Sequence, residues 1–287
     1  MKLEGICIVS KKGGGNEILE QKDRFVEALA GVNNCHYPEK TMLPYQEGSY
    51  PTLEIGKSPL VIQGILRGCE NIINQCIKTN TPFFYLDHAY FGATRHYKGS
   101  PDQLLYRVNY CNTNTAEILD LSTKDYTRIQ KYKPIEIKPL RKDKSTNHIL
   151  VFPPTKASAR AFKVQRDWET FIEKKLSKYS KRKIIFRSKD CEIPLEEQLE
   201  NCHATVGLNS TACIHSVLAG VPTFVPNFSP AFQVGNYEMS MIENPIFPNQ
   251  VLLNRWIDSL LATQFTLSEI QNGVALEAIT RLYGVNL

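Results

Sequence analysis

The stretch ATVGLNSTACIHSVLAGVPTFV (residues 204–225) decides the fold class. Residues 204–208 form a short apolar run of strand type. Asn209-Ser210-Thr211 is a polar turn, and a helix is predicted to begin at once and to run to Ala219. Gly220 suits the position just past a helix end, where a left-handed backbone is common. Val221-Pro222 opens the next strand. Strand, helix and strand in so few residues is the unit of a parallel sheet. The helix start offers backbone N–H groups and the positive end of the dipole, which suit a phosphate. Ser210 and Thr211 add hydroxyl donors. The plain alternative is that a hydroxyl here only caps the helix.

Outward from this unit the same alternation continues. In the second half, a strand and loop are predicted at 148–155 and strands at 183–189 and 221–226, with a short helix at 194–201. Residues 161–179 read as one amphipathic helix, and residues 249–261 and 267–282 as closing helices, the last opened by the capping-box pair Thr266 and Glu269. In the first half, GICIVS (5–10), PLVIQGI (59–65) and PFFYLDHAYF (82–91) read as strands, with helices over 17–30 and 69–78. Residues 131–147 are rich in Lys and Pro without periodicity and read as a linker. The expected architecture is α/β, with two Rossmann-like domains, 1–143 and 144–287, facing a cleft.

Composition narrows the classes. With 287 residues, 42% hydrophobic and 22% charged, the chain can bury a sizeable core. No apolar run approaches the ~18 residues of a membrane span, and no secretory signal is visible at the N-terminus, so a cytoplasmic protein is expected. Its 8 cysteines include no C-x-x-C, so neither zinc nor a disulfide framework is expected. The net charge of +5 is unevenly spread: residues 124–189 hold 20 Lys/Arg against 6 Asp/Glu, a local net of +14. Such a band is either a solvated surface or an attractor for a diphosphate, a nucleic acid or an acidic glycan.

The first half supplies candidate chemistry. Ligands of parallel sheets lie beyond the carboxyl ends of strands, so Asp87 and His88, ending the third strand, are placed at a cleft. Either is a candidate base for an acceptor hydroxyl. The alternative is that Asp87 caps a turn and His88 packs under Tyr90. Arg95, His96 and Arg107, interleaved with tyrosines, are candidates to hold phosphates and stack bases, or else to pack with snorkelling cations.

Asn209-Ser210-Thr211, His215 and Gly220-x-Pro222-x-Phe224 together resemble the donor-side motif of GT-B glycosyltransferases, in the branch of capsule-polysaccharide transferases and related sugar-nucleotide epimerases. The upstream strand with Arg187, the segment PLEEQLEN (194–201) and the tail from Arg255 to Gly273 are similar to that branch and to uncharacterised transferases of tailed phages. The resemblance covers about residues 148–280. It departs at His215, where the family often has the Glu that binds the donor ribose, and at Ser188-Lys189-Asp190, where the family's His-Pro is missing.

The resemblance implies a metal-independent glycosyltransferase without a bound cofactor, the nucleotide-sugar being a co-substrate. Arg187, Lys189, Asn209, Ser210, Thr211 and His215 would bind the donor. Gly13 and Gly14, in a Gly-rich loop like that of GT-B acceptor domains, would bind the acceptor with Arg95, His96 and Arg107. Asp87 or His88 would be the base. Hydroxymethylated pyrimidine in phage DNA and a glycan are both open as acceptors. An epimerase and a non-catalytic nucleic-acid-binding protein are the alternatives. The sugar, the nucleotide, the stereochemical outcome and the oligomeric state are left open.

Overall fold

Leu60, Val61, Ile62, Phe83, Phe84, Tyr85 and Leu86 are all buried. Near-continuous apolar strands of this kind need cover on both faces. A computed structural model shows how that cover is made; it describes residues 4–10, 41–45, 59–63, 69–92, 103, 105–142 and 147–285. The helix expected over 17–30 lies outside the described residues.

The chain divides into two compact units. The first holds residues 1–113, 121–125 and 261–287. Its sheet comprises β1 (Glu4–Ser10), β2 (Thr41–Tyr45), β3 (Leu60–Gln63), β4 (Phe83–His88), β5 (Leu105–Tyr110) and β10 (Gln264–Thr266). The order is β10-β5-β4-β3-β1-β2. The pairs β1–β2, β1–β3 and β3–β4 are parallel, whereas β4–β5 and β5–β10 are antiparallel. The sheet is therefore mixed rather than wholly parallel. β5, LYRVNY, is a buried strand in the stretch whose cations and tyrosines suggested a surface.

Helix α1 (Cys69–Thr79) buries Ile72, Ile73 and Cys76. The C-terminal segment returns to the first unit. Phe265 and Leu267, with Ile270, Leu276 and Ile279, cluster on Val61, Phe84, Leu86 and Val108. Burying a side chain as large as Phe265 contributes roughly 1.5–3 kcal/mol, so several together hold this segment on the first sheet. This division differs from the expected one at residue 143. Residues 261–287 sit with the first unit and residues 126–142 with the second.

The second unit holds residues 114–120 and 126–260. Its sheet, order β7-β6-β8-β9, is parallel throughout. It comprises β6 (His148–Phe152), β7 (Lys183–Phe186), β8 (Cys202–Gly207) and β9 (Thr223–Phe224). Helix α2 (Thr123–Ile129) precedes this sheet in the chain. The expected helix over 161–179 is two helices, α3 (Lys156–Ala161) and α4 (Trp168–Leu176). Thr155 caps α3 early, and Lys163, with φ of 51°, turns the chain before α4 starts. Ile172 and Leu176 of α4 pack on Ile149, Val151, Ala204 and Val206.

Helices α5 (Leu195–Leu199) and α6 (Thr211–Leu218) follow, then α7 (Gln250–Ala262). The last expected helix breaks at Gly273, φ 78°, into α8 (Leu267–Gln271) and α9 (Val274–Leu282). The capping box of Thr266 and Glu269 is formed. The residues expected to be a free linker are docked: Lys138 N donates to Leu218 O and Arg141 N to Gly220 O, both at 2.8 Å. No helix of the described residues is long and apolar enough to cross a membrane.

Candidate functional site

In the second unit the parallel register aligns four strand ends. Val151 pairs with Phe186, Phe152 with Gly207, and Val206 with Phe224. The chain therefore leaves at residues 153, 187, 208 and 225 along one edge. Gly207 lets α6 start close to β8, since a Cβ there would lie 2.4 Å from Cys213 Sγ. Ser210 is the N-cap of α6, with φ −68° and ψ 138°. Its Oγ accepts from Ala212 N at 3.2 Å, and Cys213 N donates to its carbonyl at 3.0 Å. The capping role raised as the alternative is thus present. Capping uses a lone pair of Oγ and leaves the hydroxyl proton to donate elsewhere. Asn209 is half-buried and Thr211 exposed at this helix start.

Arg187 extends the β7 ladder by one bond, N to Val151 O at 2.9 Å. Its Nη1 donates to Ile193 O at 2.6 Å and to Gln198 Oε1 at 2.5 Å, so the guanidinium is tied both to the loop that leads to α5 and to α5 itself. Lys189 is exposed in that loop. His215 stands on the exposed side of α6. Surrounding protein mass lowers its pKa by desolvation, with Glu196 opposing, so the ring is mostly neutral at neutral pH.

In the first unit, Asp87 and Arg107 are directly opposed across β4 and β5. Arg107 Nη2 donates to Asp87 Oδ2 at 3.0 Å, and Tyr85 OH donates to the same oxygen at 2.8 Å. His88 N donates to Oδ1 at 2.8 Å. Arg107 Nη1 also donates to His88 O at 2.7 Å, and its guanidinium lies 5.0 Å from the Tyr90 ring centre and 5.9 Å from that of Tyr85. Burial works to lower the Arg107 pKa, but Asp87, Tyr90 and Tyr85 outweigh it, and the side chain stays protonated.

Arg107, a candidate either to hold an acceptor or to pack, is buried and ties the end of β4 to β5. The Asp87 side chain keeps 26% exposure. Its Oδ2 takes two donors and Oδ1 one, so Oδ1 has a lone pair over. His88 stacks on Tyr106, ring centres 6.2 Å apart. Gln264 Oε1 fixes the following turn by accepting from Tyr90 N and Phe91 N at 2.6 and 2.9 Å.

No protein-family model matches the chain, and no curated protein does. Among solved structures, the KpsC beta Kdo 2,7 transferase of Thermosulfurimonas dismutans aligns over 96% of this chain and 100% of its own, at 11% identity and a TM-score of 0.50. The KpsC beta Kdo 2,4 transferase of the same organism aligns over 91% and 90%, at 9% identity and a TM-score of 0.47. The chain shares the fold of the beta Kdo 2,7 transferase. The likeness is one of fold. At that level the resemblance to capsule-polysaccharide transferases of GT-B type, read from residues 204–224, holds.

Gly13, Gly14, Arg95 and His96 lie outside the described residues. The adjacent pair Cys202 and His203 is buried. Burial pushes the Cys202 thiol up to about 12, and its Sγ donates to Ala204 O. His203 Nε2 is 2.8 Å from Ile242 O. Among the described residues no group of His, Cys, Asp and Glu is placed to hold a metal. Sequence reading missed the start of α3, where Thr155 Oγ1 accepts from Ser158 N at 3.2 Å on the same edge as Ser210. The signal was there: a strand, two prolines, then Thr-x-x-Ser.

Proposed function

We propose that this protein is a GT-B-type glycosyltransferase. Its two domains face a cleft, and a sugar passes from a nucleotide-sugar to an acceptor hydroxyl. One observation carries the reading: the Asn209-Ser210-Thr211 turn opens α6 at the carboxyl edge of a parallel sheet, with Ser210 capping the helix and keeping a proton to donate. The diphosphate lies on that helix start, where N–H groups and the dipole favour anions. Asn209 and Thr211 flank it, Lys189 neutralises it, and Arg187 contributes from the neighbouring strand end. His215, one turn further on, meets the ribose as a neutral ring.

Asp87 is the base, acting through Oδ1, and Arg107 with Tyr85 fixes the carboxylate through Oδ2. His88 is the second candidate for that role. Gly13, Gly14, Arg95 and His96 are proposed for the acceptor. Charge that develops on the leaving diphosphate is met by donors already in place, so the reaction proceeds without a metal. A cytoplasmic location fits a nucleotide-sugar user. A glycan is favoured as acceptor over hydroxymethylated pyrimidine in DNA, because a neighbour in fold is a Kdo transferase, whereas DNA rests on the basic band and the phage-like tail.

Thermal-shift measurements with UDP-, GDP-, CDP- and ADP-sugars test the reading. A rise in Tm with one nucleotide class is expected, and product analysis then separates transfer from epimerisation, which needs no acceptor. No rise with any of them overturns the donor site.

A further inference from the structure

The basic band is divided between two opposite edges of the second sheet. Lys156, Arg187 and Lys189 belong to the carboxyl edge, with the Ser210 turn. The run KKLSKYSKRK (174–183) does not. It ends α4 and enters β7, whose first residue, Lys183, pairs with His148, the first residue of β6. These cations therefore stand at the amino edge, away from any diphosphate bound at α6. Between Glu173 and Asp190 there are eight Lys/Arg and no acid.

Of the cations at this edge, Arg182 is paired with Glu243 at 3.1 Å. Lys175 lies over the Phe171 ring at 5.8 Å. Lys174, Lys178, Lys181 and Lys183 are exposed. Two aromatic side chains stand open among them, Phe171 at 47% and Tyr179 at 45% exposure. With about 100° per residue in a helix, Phe171, Lys174 and Lys175 fall on one side of α4, and Lys178 follows in the turn after it. Glu169 and Glu173 fall on the other.

We propose that this surface, Phe171 with Lys174, Lys178, Tyr179 and Lys181, docks the protein on an anionic lipid surface. The charge is complementary to such a surface, and lysines with interfacial aromatics are the combination that holds a protein there. Phosphate contacts to duplex nucleic acid account for the lysines but leave an open phenylalanine outside the stacked bases, whereas the acyl boundary takes it up. The surface is separate from the proposed donor site and does not depend on that reading.

The test is co-sedimentation of the full chain with phosphatidylcholine vesicles, with and without about 30% phosphatidylglycerol, at ~50 mM salt. Binding is expected only with the anionic lipid, weakening as salt rises. The Lys174→Gln/Lys178→Gln/Lys181→Gln variant should lose about a hundredfold in partition, at roughly fivefold per lysine. Phe171→Ser should lose about tenfold while keeping the salt dependence. All these side chains are exposed, so the variants should fold, and circular dichroism checks that. Lys156→Gln/Arg160→Gln/Lys163→Gln, which removes the same charge elsewhere, should bind vesicles nearly as wild type. Equal loss in that control, absence of lipid-dependent binding, or capture by duplex DNA in place of vesicles would overturn the proposal.

Discussion

Arg107 and Asp87 face each other across the β4–β5 pair, the guanidinium donating to Oδ2 at 3.0 Å from a nearly buried position. The two partners are not equally exposed: Arg107 is 11% accessible and Asp87 26%. Removing the carboxylate therefore strands a buried cation. Removing the guanidinium leaves a carboxylate that water and two other donors still serve. Asp87→Ala should cost about 2–4 kcal/mol of stability, and Arg107→Met about 1–2, since stranding the buried partner is the larger penalty. Urea unfolding of both variants checks the order, and a costlier Arg107→Met would contradict it. Asp87→Asn also faces the guanidinium with an amide. The ~10²–10⁴ loss of turnover expected of a missing base must then be measured where that variant is still folded.

Asp125 gives the first unit a pH dependence. Burial alone would raise its pKa, but the amide and hydroxyl of Ser122 and the Arg281 guanidinium bring it below the usual carboxylate value. Ser122 N and Oγ donate to Oδ2 at 2.9 and 2.6 Å, and Arg281 pairs with Oδ1. A carboxylate with a lowered folded-state pKa contributes stability above its unfolded-state pKa, about 4. That contribution is lost as pH falls through the lower folded value. Asp125→Asn should be less stable than wild type at neutral pH, with the difference shrinking as pH falls below ~4. Urea midpoints over that range measure it. A difference constant with pH would mean that the Arg281 pair carries no charge-dependent stability.

Much of the second unit was legible because its strands and helices are bounded by local chemistry. Gly220, with φ 74°, stands just past α6 where the sequence puts it, as the Thr266–Glu269 box does in the first unit. The first unit was harder. β5 carries Arg107 and Asn109 among its tyrosines, and both are buried, Arg107 against a cross-strand partner that periodicity does not encode. The return of Phe265 to the first sheet is a contact between residues far apart in sequence, which no local pattern announces. In the candidate site, Ser210 was legible from its turn. The fate of Arg107 was not, since a basic residue beside tyrosines reads the same on a surface as in a cross-strand ion pair.

Gly207 and Cys213 are coupled by space. A methyl group on residue 207 would meet Cys213 Sγ at 2.4 Å and Phe152 Cδ2 at 3.4 Å. Gly207→Ala should cost about 1–3 kcal/mol, the usual penalty of overpacking. Cys213→Ala removes the sulfur, so the double variant should recover part of that loss, with a coupling of about 0.5–3 kcal/mol. Thermal unfolding of the four proteins reads it. Strict additivity would place the strain elsewhere.

Ser210 separates capping from ligand binding. Asp caps a helix as well as Ser, accepting from the same N–H and suiting the dipole. Ser210→Asp should therefore leave stability within ~0.5 kcal/mol of wild type. It has no proton to donate near neutral pH, and it sets a negative charge where the diphosphate is proposed to lie. Its affinity for a nucleotide-sugar should fall by at least about tenfold, or ~1.4 kcal/mol. Ser210→Ala should behave in the opposite manner: it loses about 1 kcal/mol of stability with the cap. Its affinity should fall less than that of the Asp variant, because one hydrogen bond is lost and no repulsion is added. Calorimetry with the nucleotide-sugar class found by thermal shift, beside urea unfolding, gives both quantities for each variant. If the Asp variant binds as wild type does, the diphosphate does not sit on this helix start, and Ser210 is a cap alone.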